Sequence, residues 1–171
     1  MKPKIKRMFS GIRRYHKVTV ATGQLETTIR LFLTDGCDMF SAVTLAGAAG
    51  GILSQLVLDA GKRPFVDYSI KLYDLLKLGP TVTRSALMTH INKILFINAL
   101  KHHDPGRDEF VEFDVEEAAL AAILKAVTDY KTLTGTETKA MKAFLTWCYL
   151  NLESTEIMDN YNKLPEKAKK L

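Results

Sequence analysis

The chain of 171 residues is 47% apolar, 25% charged and 9% aromatic, the composition of an ordinary globular domain with a real core. Collagen-like, low-complexity and disulfide-scaffold classes are excluded, and the two cysteines, Cys37 and Cys148, match no metal-ligand spacing. The net charge of +5 sits at the two ends, so a basic surface on the folded body, the footprint of a globular nucleic-acid binder, is not expected.

Residues 1–17 hold Lys2, Lys4, Lys6, Arg7, Arg13, Arg14 and Lys17 and no acid. Pro3 and Gly11 interrupt any amphipathic helix there, and no apolar run is long enough for a secretory signal. The segment reads as a flexible basic arm on a cytoplasmic protein. Such an arm can meet RNA or other nucleic acid, an anionic membrane or an acidic protein partner, or simply keep the chain soluble. Residues 18–162 form the helical body, and 163–171, with Lys163, Lys167, Lys169 and Lys170 against Glu166, a second basic tail.

The first helix is expected over roughly Thr19 to Leu33, with Val18, Leu25, Ile29 and Phe32 on one stripe. Asp35-Gly36 stops it. Asp38 is a good N-cap for a second helix that runs to Ala60, with Gly61 as its stop. Its apolar run, Ala42 to Ile52 and neighbours, is short and rich in Gly and Ala, so no membrane span is expected. Gly47, Gly50 and Gly51 do not have the spacing of a nucleotide-binding loop and no strand precedes them, so they read as sites where another backbone approaches closely. A third helix covers Phe65 to Lys77 and ends at Gly79-Pro80.

The fourth helix is expected to start at Thr81 or Thr83 and to reach His102, on a stripe of Leu87, Met88, Ile91, Ile94 and Leu95. A patternless stretch with the turn His103-Asp104-Pro105-Gly106 follows. Asp114 and Glu117 have capping-box spacing at the start of the fifth helix, Val115 to Leu133, which is apolar on nearly every side and so central. Thr134-Gly135-Thr136-Glu137 repeats the cap chemistry before a sixth helix that carries Met141, Phe144, Leu145 and Cys148. Ser154 to Leu164 is a weaker segment. The expectation is an all-α, single-domain bundle of five or six mostly antiparallel helices. The apolar surfaces of its second and fifth helices exceed what one small bundle needs, which points to a homodimer.

Asn98, Lys101, His102 and Asp104 form the strongest polar group. At about 100° per residue, Asn98 and His102 prolong the inward stripe of Ile91. An amide and an imidazole there must find partners, since an unsatisfied buried polar group costs roughly 1–3 kcal/mol. Two roles follow: a structural lock on the next loop, or a cleft in which His102 is a general acid or base and Asn98 and Lys101 hold an anion. Arg84 and His90 are the second candidate pair. Arg followed a few residues later by His is similar to the catalytic signature of HEPN-type helical bundles, which implies metal-independent ribonuclease chemistry through Arg84 with His90 or His102. The four histidines give no metal-ligand set, and neither a metal nor a cofactor is expected.

The run Leu25-Glu26-Thr27-Thr28-Ile29-Arg30-Leu31-Phe32, then Ser41 to Ala49, and Asn98-Ala99-Leu100-Lys101-His102-His103-Asp104 resembles a widespread family of uncharacterised bacterial proteins. That family reads approximately L-E-x-A-I-R-L-F-F, D-P-V-S-x-H-T-L-A-x-A-A and N-F-F-K-H-A-D. This chain has Met39 at the family's Pro and Val43 at its His. The resemblance singles out Asn98, Lys101, His102 and Asp104. The leading functional expectation is a helical binding module with a polar cleft at the end of helix four. Its rivals are a HEPN-like ribonuclease and a regulatory partner in a defence or toxin–antitoxin pair.

Overall fold

A computed structural model describes residues 12–35, 38–102 and 109–171. The described residues are all-helical, with no strand among them. The elements are α1 (Lys17–Arg30), α2 (Met39–Asp59), α3 (Phe65–Leu75), α4 (Arg84–Ile94), α5 (Val115–Thr134), α6 (Lys139–Asn151), α7 (Ser154–Lys163) and α8 (Glu166–Lys169). That is more helices than the five or six expected. The segment after α6 forms a helix of ten residues in α7, and the basic tail adds the short α8, whose Ala168 is buried. Most of the basic arm lies outside the described residues, as do Gly36, Cys37 and the turn at 103–106.

Local chemistry places most of the helix ends. The Asp38 carboxylate accepts the Ser41 amide at 3.1 Å, and hydrogen bonds to Ser41 hold its carboxyl below the ordinary range. Asp114 accepts the Glu117 amide at 2.9 Å. Gly135 ends α5 at φ +72°, a left-handed turn that glycine adopts without steric cost. The cap of α6 differs from expectation: Thr138 accepts the Met141 amide. Thr134 instead closes its own turn by accepting the Thr136 amide. α1 does not stop cleanly before Asp35. It loosens into a π turn over Leu31–Asp35, which carries Phe32 edge-on against Phe144 and Trp147, with ring centroids 5.6 and 4.9 Å apart.

α2 lies between α1 and α5, and these three helices share the core. Leu25 and Ile29 of α1, Val43 and Leu53 of α2 and Ile123 of α5 are fully or almost fully buried, joined by Met141 and Phe144 of α6. Each side chain of this size contributes about 1.5–3 kcal/mol by leaving water. The small faces of α2 (Ala42, Ala46, Ala49) and α5 (Ala119, Ala122, Ala126) meet here, which lets the two backbones come close. By length and composition alone α2 is apolar enough to cross a membrane, contrary to the reading of its core run as too short, and its buried side faces α1 and α5.

α3 and α4 are attached differently. Each contributes one buried side chain, Val66 and Ile91, and polar bonds do much of the tethering. Pro64 precedes α3 and offers it no side-chain cap. Asp129, from the C-terminal half of α5, supplies one instead by accepting the Phe65 amide at 2.7 Å. Arg84, the first residue of α4, donates to Ser54 Oγ of α2 at 3.0 Å and pairs with Asp67 of α3 at 2.9 Å.

Candidate functional site

α4 ends at Ile94, eight residues short of His102. The reason lies at Phe96, whose φ of +53° puts a non-glycine residue in the left-handed region, at a cost of roughly 1–2 kcal/mol. Two contacts offset it. The Phe96 ring stacks on Phe113 with centroids 4.2 Å apart and planes 16° from parallel. The reversed chain also drives Ile97 into the notch over Gly47, where a Cβ would lie only 2.7 Å from Ile97 Cγ2. Residues 95–101 therefore form turns laid against α2, not the last two turns of a helix.

This rearrangement overturns the inward placement of Asn98 and His102. Both are exposed, and the bond between them joins backbones, the His102 amide donating to the Asn98 carbonyl at 3.0 Å. Lys101 is exposed beside them. Asp104, with His103, lies outside the described residues. Among the described residues no hydrogen bond or ion pair joins Arg84 to His90: the Arg84 guanidinium is committed to Ser54 and Asp67, and His90 is exposed on α4. Cys148 is a buried free thiol, and burial pushes its titration up. No group of three or more His, Cys, Asp or Glu gathers among the described residues.

The turns at 95–101 wall off a cleft of about 390 Å³ between α2, α4 and α5. Ala46, Gly47, Ala48, Gly50, Gly51 and Ile52 form one side, Met88 and Asn92 of α4 another, and Ala122 and Lys125 of α5 the floor. Ile97, Asn98 and Lys101 complete the rim. Asn98 and Lys101 thus line a cleft near the end of α4, facing it from the rim and not from the core.

The floor carries a charged pair that no sequence motif marks. Lys125 is buried, its side chain only 8% exposed, and its ammonium sits 3.4 Å from where a Gly50 Cβ would be. Nζ pairs with Asp129 Oδ2 at 3.3 Å, one turn further along α5. Asp129 is fully buried, and burial pushes its carboxyl up against the opposing pull of Lys125, the Phe65 amide and Arg84. Lys125 and Asp129 stand one turn apart amid the buried residues of α5, whereas Glu116, Glu117 and Lys131 of the same helix are exposed, so only their place among apolar neighbours marks the pair in the sequence.

A second hollow of about 480 Å³ is lined by Lys62, Arg63, Phe65, Tyr68, Thr128, Thr132 and Leu171. Its lysine is already used: Lys62 Nζ donates to the Thr132 and Leu133 carbonyls at 2.9 and 3.0 Å, closing the end of α5. The smaller cleft differs in that its floor lysine, Lys125, has one partner at 3.3 Å and its rim lysine, Lys101, has none among the described residues.

Comparison with protein-family models, curated proteins and solved structures finds no match for this chain.

Proposed function

We propose that the protein is a helical binding module, a bundle of mostly antiparallel helices that takes a small ligand in the cleft between α2, α4 and α5. The observation that carries this reading is the cleft's wall. Asn92, Asn98 and Lys101 present side chains with no hydrogen bond or ion pair among the described residues, above a buried lysine and beside an α2 surface kept open by glycines. Apolar walls with a few convergent polar groups are the usual form of a small-molecule site. Neither metal nor cofactor is needed for such binding.

Exposed apolar side chains on α6 and α7, among them Leu150, Ile157 and Tyr161, support the expected self-association, through a different face from the α2 and α5 surfaces first considered.

Solution NMR with a fragment library tests the reading. Binders are expected to shift the methyl signals of Ala48, Met88, Ile97 and Ala122 together. Shifts that collect on the α6–α7 face instead would contradict it. On the same reading the purified protein leaves total RNA intact in EDTA. Cleavage that disappears in His90→Ala or His102→Ala would put the ribonuclease in its place.

A further inference from the structure

We propose that the cleft selects a small organic carboxylate, its anionic head at the Lys125 ammonium and its apolar body against the α2 wall. This rests on the binding reading above and adds the ligand's chemical class.

Lys125 is loosely held. An ammonium has three donors, and the single partner here, Asp129 Oδ2, stands at 3.3 Å. Charge-assisted N–H···O bonds are ordinarily about 2.7–2.9 Å. The other oxygen of Asp129 is engaged by the Phe65 amide at 2.7 Å. On the α2 side Gly50 puts no side chain over the ammonium: a Cβ there would lie 3.4 Å from Nζ. Lys125 therefore lines the cleft with donors left over.

The rest of the wall agrees in sign. Lys101 adds a second cation on the rim, Asn92 and Asn98 add amides, and no carboxylate lines the cleft among the described residues. The nearest carboxylate, Asp129, lies behind Lys125 and is already bonded to it and to the Phe65 amide, so a cationic ligand would meet the two ammoniums first, whereas an anion meets both favourably. Met88, Ile52 and Ile97 make the remainder apolar, which favours a ligand with a hydrocarbon body over a bare inorganic ion. The volume of about 390 Å³ is near the small end of ligand sites, so the body is short.

Calorimetric titration of the full chain with hexanoate, hexan-1-ol, hexylamine and inorganic phosphate tests the proposal. Hexanoate is expected to bind, at least tenfold tighter than the other three, and to weaken as salt rises. Lys125→Met should reduce hexanoate affinity at least tenfold, and Lys101→Ala a few-fold. Because Lys125→Met alters a buried pair, Gly51→Leu is the second variant. Gly51 lines the cleft, and a Cβ there meets nothing within 4 Å. This substitution blocks the cleft while leaving Lys125 and Asp129 in place, and should abolish binding in a protein that still unfolds cooperatively. If hexanol or hexylamine binds as well as hexanoate, and Gly51→Leu blocks it, the carboxylate assignment falls and the cleft stands. If no probe binds, or if Gly51→Leu changes nothing, the cleft falls with it.

Discussion

Two pairs of polar side chains, each four residues apart, have opposite fates in this molecule. Asn98 and His102 extend an apolar stripe in sequence yet lie exposed on turns. Lys125 and Asp129 interrupt an apolar helix and are buried. Periodicity projects a residue inward only as far as its helix continues. The left-handed turn at Phe96 ends α4 and takes the first pair out of register, whereas α5 runs unbroken through the second and is enclosed by α2. A polar group in the middle of a central helix is thus a safer guide to a buried site than one near a helix end.

The contrast can be broken most forcefully at Asp129. Asp129→Ala removes the partner of a buried ammonium and the cap of α3 together, and should cost about 3–5 kcal/mol in chemical denaturation. Asn98→Ala or His102→Ala should each change stability by less than about 0.5 kcal/mol. A loss at His102 comparable to that at Asp129 would restore the inward lock. Asp129 also gives the contrast a pH signature. Its folded carboxyl titrates above the ordinary 3.8, so the protonated form is the one that folding favours. Its contribution is complete below that value and is lost as pH rises through the raised folded one. The stability of the native chain relative to Asp129→Asn should therefore decline from pH 3 upward, and a flat difference between pH 3 and 7 would show the carboxyl to be unperturbed.

Much of the fold is legible in the sequence because its signals are local. Asp38, Asp114, Gly61 and Gly135 mark helix ends through chemistry that each residue performs on its own neighbours. The end of α4 is not legible for the converse reason: Phe96 turns because Phe113 and Gly47, distant in sequence, reward the turn. The same applies to the cap of α3, donated by a carboxylate from α5. Of the candidate site, the amide and lysine at 98 and 101 were found by motif and line the cleft. Lys125 was hidden among the alanines of α5, and Arg84 belongs to the polar seam that holds α3 and α4.

A smaller effect sharpens the comparison from the side of α2. Replacing a helical glycine with a side chain that meets no obstacle stabilises by about 0.5–1 kcal/mol. Gly51→Leu should therefore raise the melting temperature slightly. Gly47→Ala should lower it, because its new methyl meets Ile97. A rise in both would mean that Ile97 is not seated on α2, and the wall of the cleft would need to be redrawn.

The most direct measurement is a crystal structure of the chain with hexanoate. Density is expected in the cleft, with the carboxylate within hydrogen-bonding distance of Lys125 Nζ and the alkyl chain against Ile52 and Met88. Density confined to the hollow by Lys62 and Arg63, or an alkyl end turned toward Lys125, would contradict it.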